Sequence, residues 1–232
     1  MEGPVLHKDP PPEYLRFPDR RWFVPEFDNE TIITDDERAF AAALSEATAP
    51  LVCDGVYDIL IPAAYGDHGE NALVAGLELV DHPEGSSEAT SLLDFGVHFH
   101  GNKVHGGRLH NQIYYVECQP PRLALDATGS IESLAEQTAE WFASVLRRPI
   151  VLYIWLHNGS VYASRYFFAD ASETLNQMYN KELAPPGQYE SLIAAAQVRG
   201  HGWVQTAGLP RPDVYRHIRG DRERAVLPPG AQ

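Results

Sequence analysis

The chain reads as an α+β protein, a mostly antiparallel sheet of about six or seven strands carrying three or four packed helices. Three observations predict this. Short strand-like runs follow one another between Gly, Asp and Ser loops, without the regular strand and helix alternation that builds a parallel sheet. Residues 130–148 place Leu134, Ala135, Thr138, Trp141, Phe142 and Val145 at helical spacing. Between two apolar runs, Asn158-Gly159 supplies the paired positive-φ positions of a type I′ hairpin turn.

Taken in order, residues 1–30 form an extended arm in which Pro4, Pro10, Pro11, Pro12, Pro18 and Pro25 alternate with Tyr14, Phe17, Trp22, Phe23 and Phe27. Proline removes a backbone donor and favours extended chain, so the aromatics are expected to lie across the body. The body spans residues 31–205. Its first helix begins after Thr34, where Thr34 and Glu37 make a capping box and Asp35 and Asp36 favour the positive end of the dipole; Pro50 ends it. Strands are expected at 56–61, 73–79, 92–100, 112–118 and 122–127. The second helix, 130–148, has Glu132 and Glu136 early and Arg147 and Arg148 late, and Pro149 stops it. The hairpin strands are 150–156 and 161–168. Short helices are expected at 172–180 and 188–199, and residues 206–232 form an extended tail rich in Arg and Pro.

Composition bounds the function. Of 232 residues, 18 are Lys or Arg and 32 are Asp or Glu, a net charge of −14. Phosphate neutralisation requires a basic footprint, so nucleic acid is not an expected partner. No apolar run reaches the roughly 18–20 residues that span a bilayer, and residues 1–12 lack the apolar core of a secretory signal. No membrane association and a cytoplasmic location are expected. Cys53 and Cys118 fit neither a redox pair nor a zinc-ligand spacing.

The charge is unevenly distributed. Residues 1–50 hold 5 basic and 11 acidic side chains, and residues 51–100 hold 9 acids and no base. Residues 206–232 carry Arg211, Arg216, Arg219, Arg222 and Arg224 against 3 acids. Solubility explains such an excess. So does a docking surface for a basic protein, for which Asp54, Asp58, Glu78 and Glu84 are candidates, or a tail laid back over the acidic half.

Histidines supply the metal-like pattern. Period-two geometry places Asp94, His98 and His100 on one face of a strand, and pairing His100 opposite His110 on the next strand would bring three imidazoles together. Imidazole and carboxylate ligands suit zinc, iron or manganese, and an open position would activate water. A polar outer strand face accounts for the same residues without a metal. Both faces of the 150–168 hairpin are apolar or aromatic, as in a strand covered on two sides. Pairing Trp155 with Tyr162, Tyr153 with Ser164 and Val151 with Tyr166 would instead expose a Trp155, Tyr162 and Tyr166 face able to anchor a protein.

Serine-nucleophile, phosphate-loop and dinucleotide motifs do not occur. The leading expectation is therefore a non-catalytic acidic interaction protein, such as an inhibitor, immunity-like factor or adaptor, bound to a basic protein partner. The alternative is a small metal-dependent hydrolase or oxygenase that uses the histidine cluster and a transition metal.

Overall fold

The computed structural model describes residues 20–25, 33–65, 72–82, 89–110, 114–116 and 123–225. Most of the N-terminal arm therefore lies outside the described residues, as do Glu84 and Cys118. The described chain is α+β with antiparallel sheets, and it falls into two compact units divided between Val145 and Leu146. Among the described residues no helix is long and apolar enough to cross a membrane.

The first unit opens with helix α1 (Asp35–Thr48). Its capping box forms as the sequence dictates: the Thr34 side chain accepts from Glu37 N, and the Glu37 carboxylate accepts from Thr34 N at 2.7 Å. Such a cap stabilises a helix by about 1 kcal/mol. The sheet is built from β1 (Val56–Ile61), β2 (Leu73–Asp81), β3 (Thr90–Phe99), β4 (Lys103–His110) and β5 (Tyr114–Val116), neighbours in that order. A further strand, β6 (Leu125–Thr128), pairs with the first half of β4, while β5 pairs with its second half. Helix α2 (Ile131–Leu146) follows.

Both helices cover the same sheet face. Phe40 of α1 stacks on Phe99 of β3 with centroids 4.3 Å apart, and Phe142 of α2 meets Phe95 of the same strand edge-on at 5.5 Å. The described piece of the arm joins this layer: Trp22 and Phe23 are fully buried, and Phe23 stacks on Phe142 at 5.7 Å. On the opposite face Gly76, Gly96 and Gly107 stand side by side across β2, β3 and β4. A Cβ at Gly96 would lie 2.6 Å from both the Ala75 oxygen and the Gly76 Cα, and 2.9 Å from Leu109 Cδ1. The glycines let the strands close up and give Leu109 a bed.

The second unit is a sheet ordered β12-β7-β8-β9, comprising β7 (Ile150–His157), β8 (Ser160–Phe168), β9 (Glu173–Tyr179) and β12 (Val214–Arg219). Helix α3 (Gln188–Ala194) and a small hairpin of β10 (Val198–Arg199) and β11 (Trp203–Val204) complete it. Asn158 and Gly159, at φ 51° and 79°, turn β7 into β8 as expected.

Three expectations are corrected. The strands of the described residues are shared among three sheets rather than gathered into one. Residues 172–180, expected as a helix, mostly form strand β9, because pairing with β8 outweighs the helical propensity of its Glu, Leu, Gln and Met. Residues 103–110, which fall between the strands expected at 92–100 and 112–118, form strand β4. In addition, the tail contributes β12, which pairs with β7.

Candidate functional site

The turn after β3 decides the fate of the histidine cluster. His100 N donates to the Lys103 oxygen at 2.8 Å, and Gly101 takes φ 71°, so β4 begins at Lys103. The resulting register sets His98 opposite His105, not His100 opposite His110. His100 lies just beyond the strand and is exposed, whereas His110 sits at the far end of β4, paired with Tyr114 of β5. The predicted trio is therefore separated. The physical reason is the length of the connection: a tight turn at Gly101-Asn102 replaces the long loop that the expected pairing required. Gly-Asn between two runs is itself a hairpin signal, and it identifies His105.

His98 is 4% exposed. His105 is partly exposed, and its Nδ1 lies 2.5 Å from Asp126 Oδ1 on β6, the strand directly opposite. That contact orients the imidazole ring, as a carboxylate does for a histidine base. Asp94, four residues before His98, faces Glu78 across the β2–β3 pair. Burial, and then the Glu78 carboxylate, push the Asp94 carboxyl up from its ordinary 3.8, with Arg108 opposing. Among the described residues its buried Oδ1 has no hydrogen-bond partner. Among the described residues no group of three His, Cys, Asp or Glu side chains is placed to hold a metal ion.

The acidic candidates also separate. Asp58 holds the arm: its Oδ2 accepts from Phe23 N at 2.8 Å, and Oδ1 is 3.7 Å from Arg20 Nη2. Glu78 belongs to the carboxyl pair just described. Asp54 is exposed in the turn before β1. Glu132, Glu136 and Glu140, not among the acidic docking candidates of the sequence, recur every fourth residue along α2 and are all exposed. Asp35 and Asp36 are exposed at the start of α1, in the same helical layer. The spacing of the three glutamates was visible, but they lie outside the first hundred residues where acid is densest.

The aromatic hairpin is core. Trp155, Tyr162 and Tyr166 are 2%, 3% and 6% exposed, so they form no open docking face. A bulge beside Trp155 shifts the expected pairing by one residue, placing Trp155 opposite Ala163, Tyr153 opposite Arg165 and Val151 opposite Phe167. Trp155 Nε1 donates to the Pro210 oxygen at 2.7 Å, which satisfies the indole on burial.

Comparison with protein-family models, with curated proteins and with solved structures gives no match to this chain.

Proposed function

We propose that the protein is a non-catalytic interaction protein that docks a basic protein partner on the helical layer of its first unit. The observation that supports this reading is the α2 row. Glu132, Glu136 and Glu140 stand one helical turn apart, exposed, with no described residue paired to them. Glu132, in the first turn, favours the helix dipole, but Glu136 and Glu140 add like-charge repulsion at four-residue spacing, so helix stability does not account for the whole row. A cationic partner turns the same repulsion into attraction and raises its association rate through long-range steering.

The test compares capture of proteins from native lysate by the wild type and by the E132Q/E136Q/E140Q variant, at about 0.05 M and 0.5 M salt. A basic protein held by the wild type at low salt, and lost both at high salt and with the variant, is the expected result. Indistinguishable capture by the two proteins would refute the reading.

A further inference from the structure

The second unit holds a buried cation that, among the described residues, no carboxylate answers. Arg165 of β8 is 8% exposed and stands in register between Tyr153 of β7 and Gln177 of β9, while Tyr215 of β12 is opposite Tyr153. Directly paired residues share a sheet face, so Tyr215, Tyr153, Arg165 and Gln177 form one row across the sheet. Gln177 is already engaged: Nε2 donates to the Val204 oxygen and Oε1 accepts from the Thr206 hydroxyl.

The guanidinium is fixed in place. Nε donates to Thr174 Oγ1 and Nη2 to the Ser172 oxygen, both at 2.8 Å, and Ser172 takes φ 53° where it presents that oxygen. Both acceptors are neutral. The carboxylates that flank this turn, Asp170 and Glu173, are held instead by Arg148, at 2.9 Å and 3.5 Å. Phe167 is a common floor: the guanidinium carbon lies 4.5 Å from its ring centroid, and Tyr153 meets it edge-on at 4.7 Å. The Tyr215 ring is 5.7 Å from that of Tyr153.

Three donors remain in this cluster, Arg165 Nη1 and the hydroxyls of Tyr153 and Tyr215. Among the described residues no acceptor is bonded to any of them, and unlike His217 Nε2 on β12 they are not sealed from solvent. Trp155, Tyr162 and Tyr179 of the same unit, by contrast, are all hydrogen-bonded. Burial pushes the Tyr153 and Tyr215 hydroxyls up from their ordinary 10.0, so both phenols stay protonated and able to donate. The charged groups acting on them are Arg165 and Arg222, both cationic, whereas Asp221 acts on His217. A buried cation is costly without a counter-charge, and burial accordingly pushes the Arg165 guanidinium down from its ordinary range.

We propose that Arg165, Tyr153 and Tyr215 bind a small oxyanion, a phosphate or carboxylate group, with Nη1 supplying a charge-assisted hydrogen bond and the two phenols completing its shell. Calorimetric titration of the full chain with inorganic phosphate, with acetate and with sodium chloride at matched ionic strength tests this. Saturable 1:1 binding of phosphate or acetate is expected, with no saturable response to chloride, and whichever oxyanion binds tighter identifies the headgroup. Tyr153→Phe combined with Tyr215→Phe keeps both rings and should weaken binding by about tenfold. Phosphate or acetate should also raise the melting temperature of the wild type, and Arg165→Gln should lose that rise. No saturable binding of either oxyanion up to about 20 mM, an equal response to chloride, or a double tyrosine variant that binds as tightly as the wild type would overturn the proposal.

Discussion

At Phe23 the backbone takes φ 60°, a conformation that a bulky residue adopts only when its surroundings enforce it. The enforcement is visible: the ring is buried against Phe142, and Phe23 N donates to Asp58 Oδ2. Asp58→Ala should therefore destabilise the first unit by about 1–3 kcal/mol, because it leaves a half-buried donor unmatched. Denaturant unfolding measures this, and a change below about 0.5 kcal/mol would show that Asp58 does not hold the arm. Asp94 tests a different balance. A carboxyl whose folded pKa lies above its unfolded value near 3.8 binds its proton more tightly in the folded chain, so it costs stability as pH rises through that window. Asp94→Asn removes this cost. Its stability relative to the wild type should rise between pH 4 and pH 7, and a difference independent of pH would reject the assigned cause.

Among the elements, α1, α2 and the β7–β8 hairpin were legible because their signals are local: a capping box, a 3.6-residue period and an Asn-Gly turn. What resisted reading was set by pairing across the sheet. Nothing within residues 173–179 distinguishes a strand from a helix, since β9 exists by hydrogen bonding to β8. A bulge of one residue at Trp155 and a two-residue turn at Gly101-Asn102 likewise changed which side chains meet. For that reason the sequence brings His98, His100 and His110 together, whereas the structure sets His98 opposite His105. The glycine strip carries the element-level prediction. Gly96→Ala drives a Cβ into backbone atoms of β2 and should cost about 1–3 kcal/mol by overpacking. Gly101→Ala meets nothing within 4 Å, and its cost of about 1 kcal/mol comes from the positive φ alone. If both variants unfold at the same denaturant concentration as the wild type, close approach of β2 and β3 is not what these glycines provide.

On the scale of the whole molecule, a net charge of −14 serves solubility wherever it is placed, whereas docking depends on where it is placed. The α2 row separates the two. Converting Glu136 and Glu140 to Gln lowers the charge from −14 to −12, removes two like-charged contacts at helical spacing and leaves Glu132 at the positive end of the helix dipole. Each such contact costs a helix a few tenths of a kcal/mol, so the variant should be more stable than the wild type by about 0.5–1 kcal/mol at low salt. The gain should fade near 1 M salt, where screening acts within about 3 Å. If the row serves only solubility, the variant keeps every partner of the wild type and loses no more than its resistance to precipitation. If the row is a docking surface, the same variant gains stability while losing a salt-sensitive basic partner. A residue set whose removal improves the fold and removes binding is retained for the binding, and measuring melting temperature and capture on one preparation decides between the two outcomes.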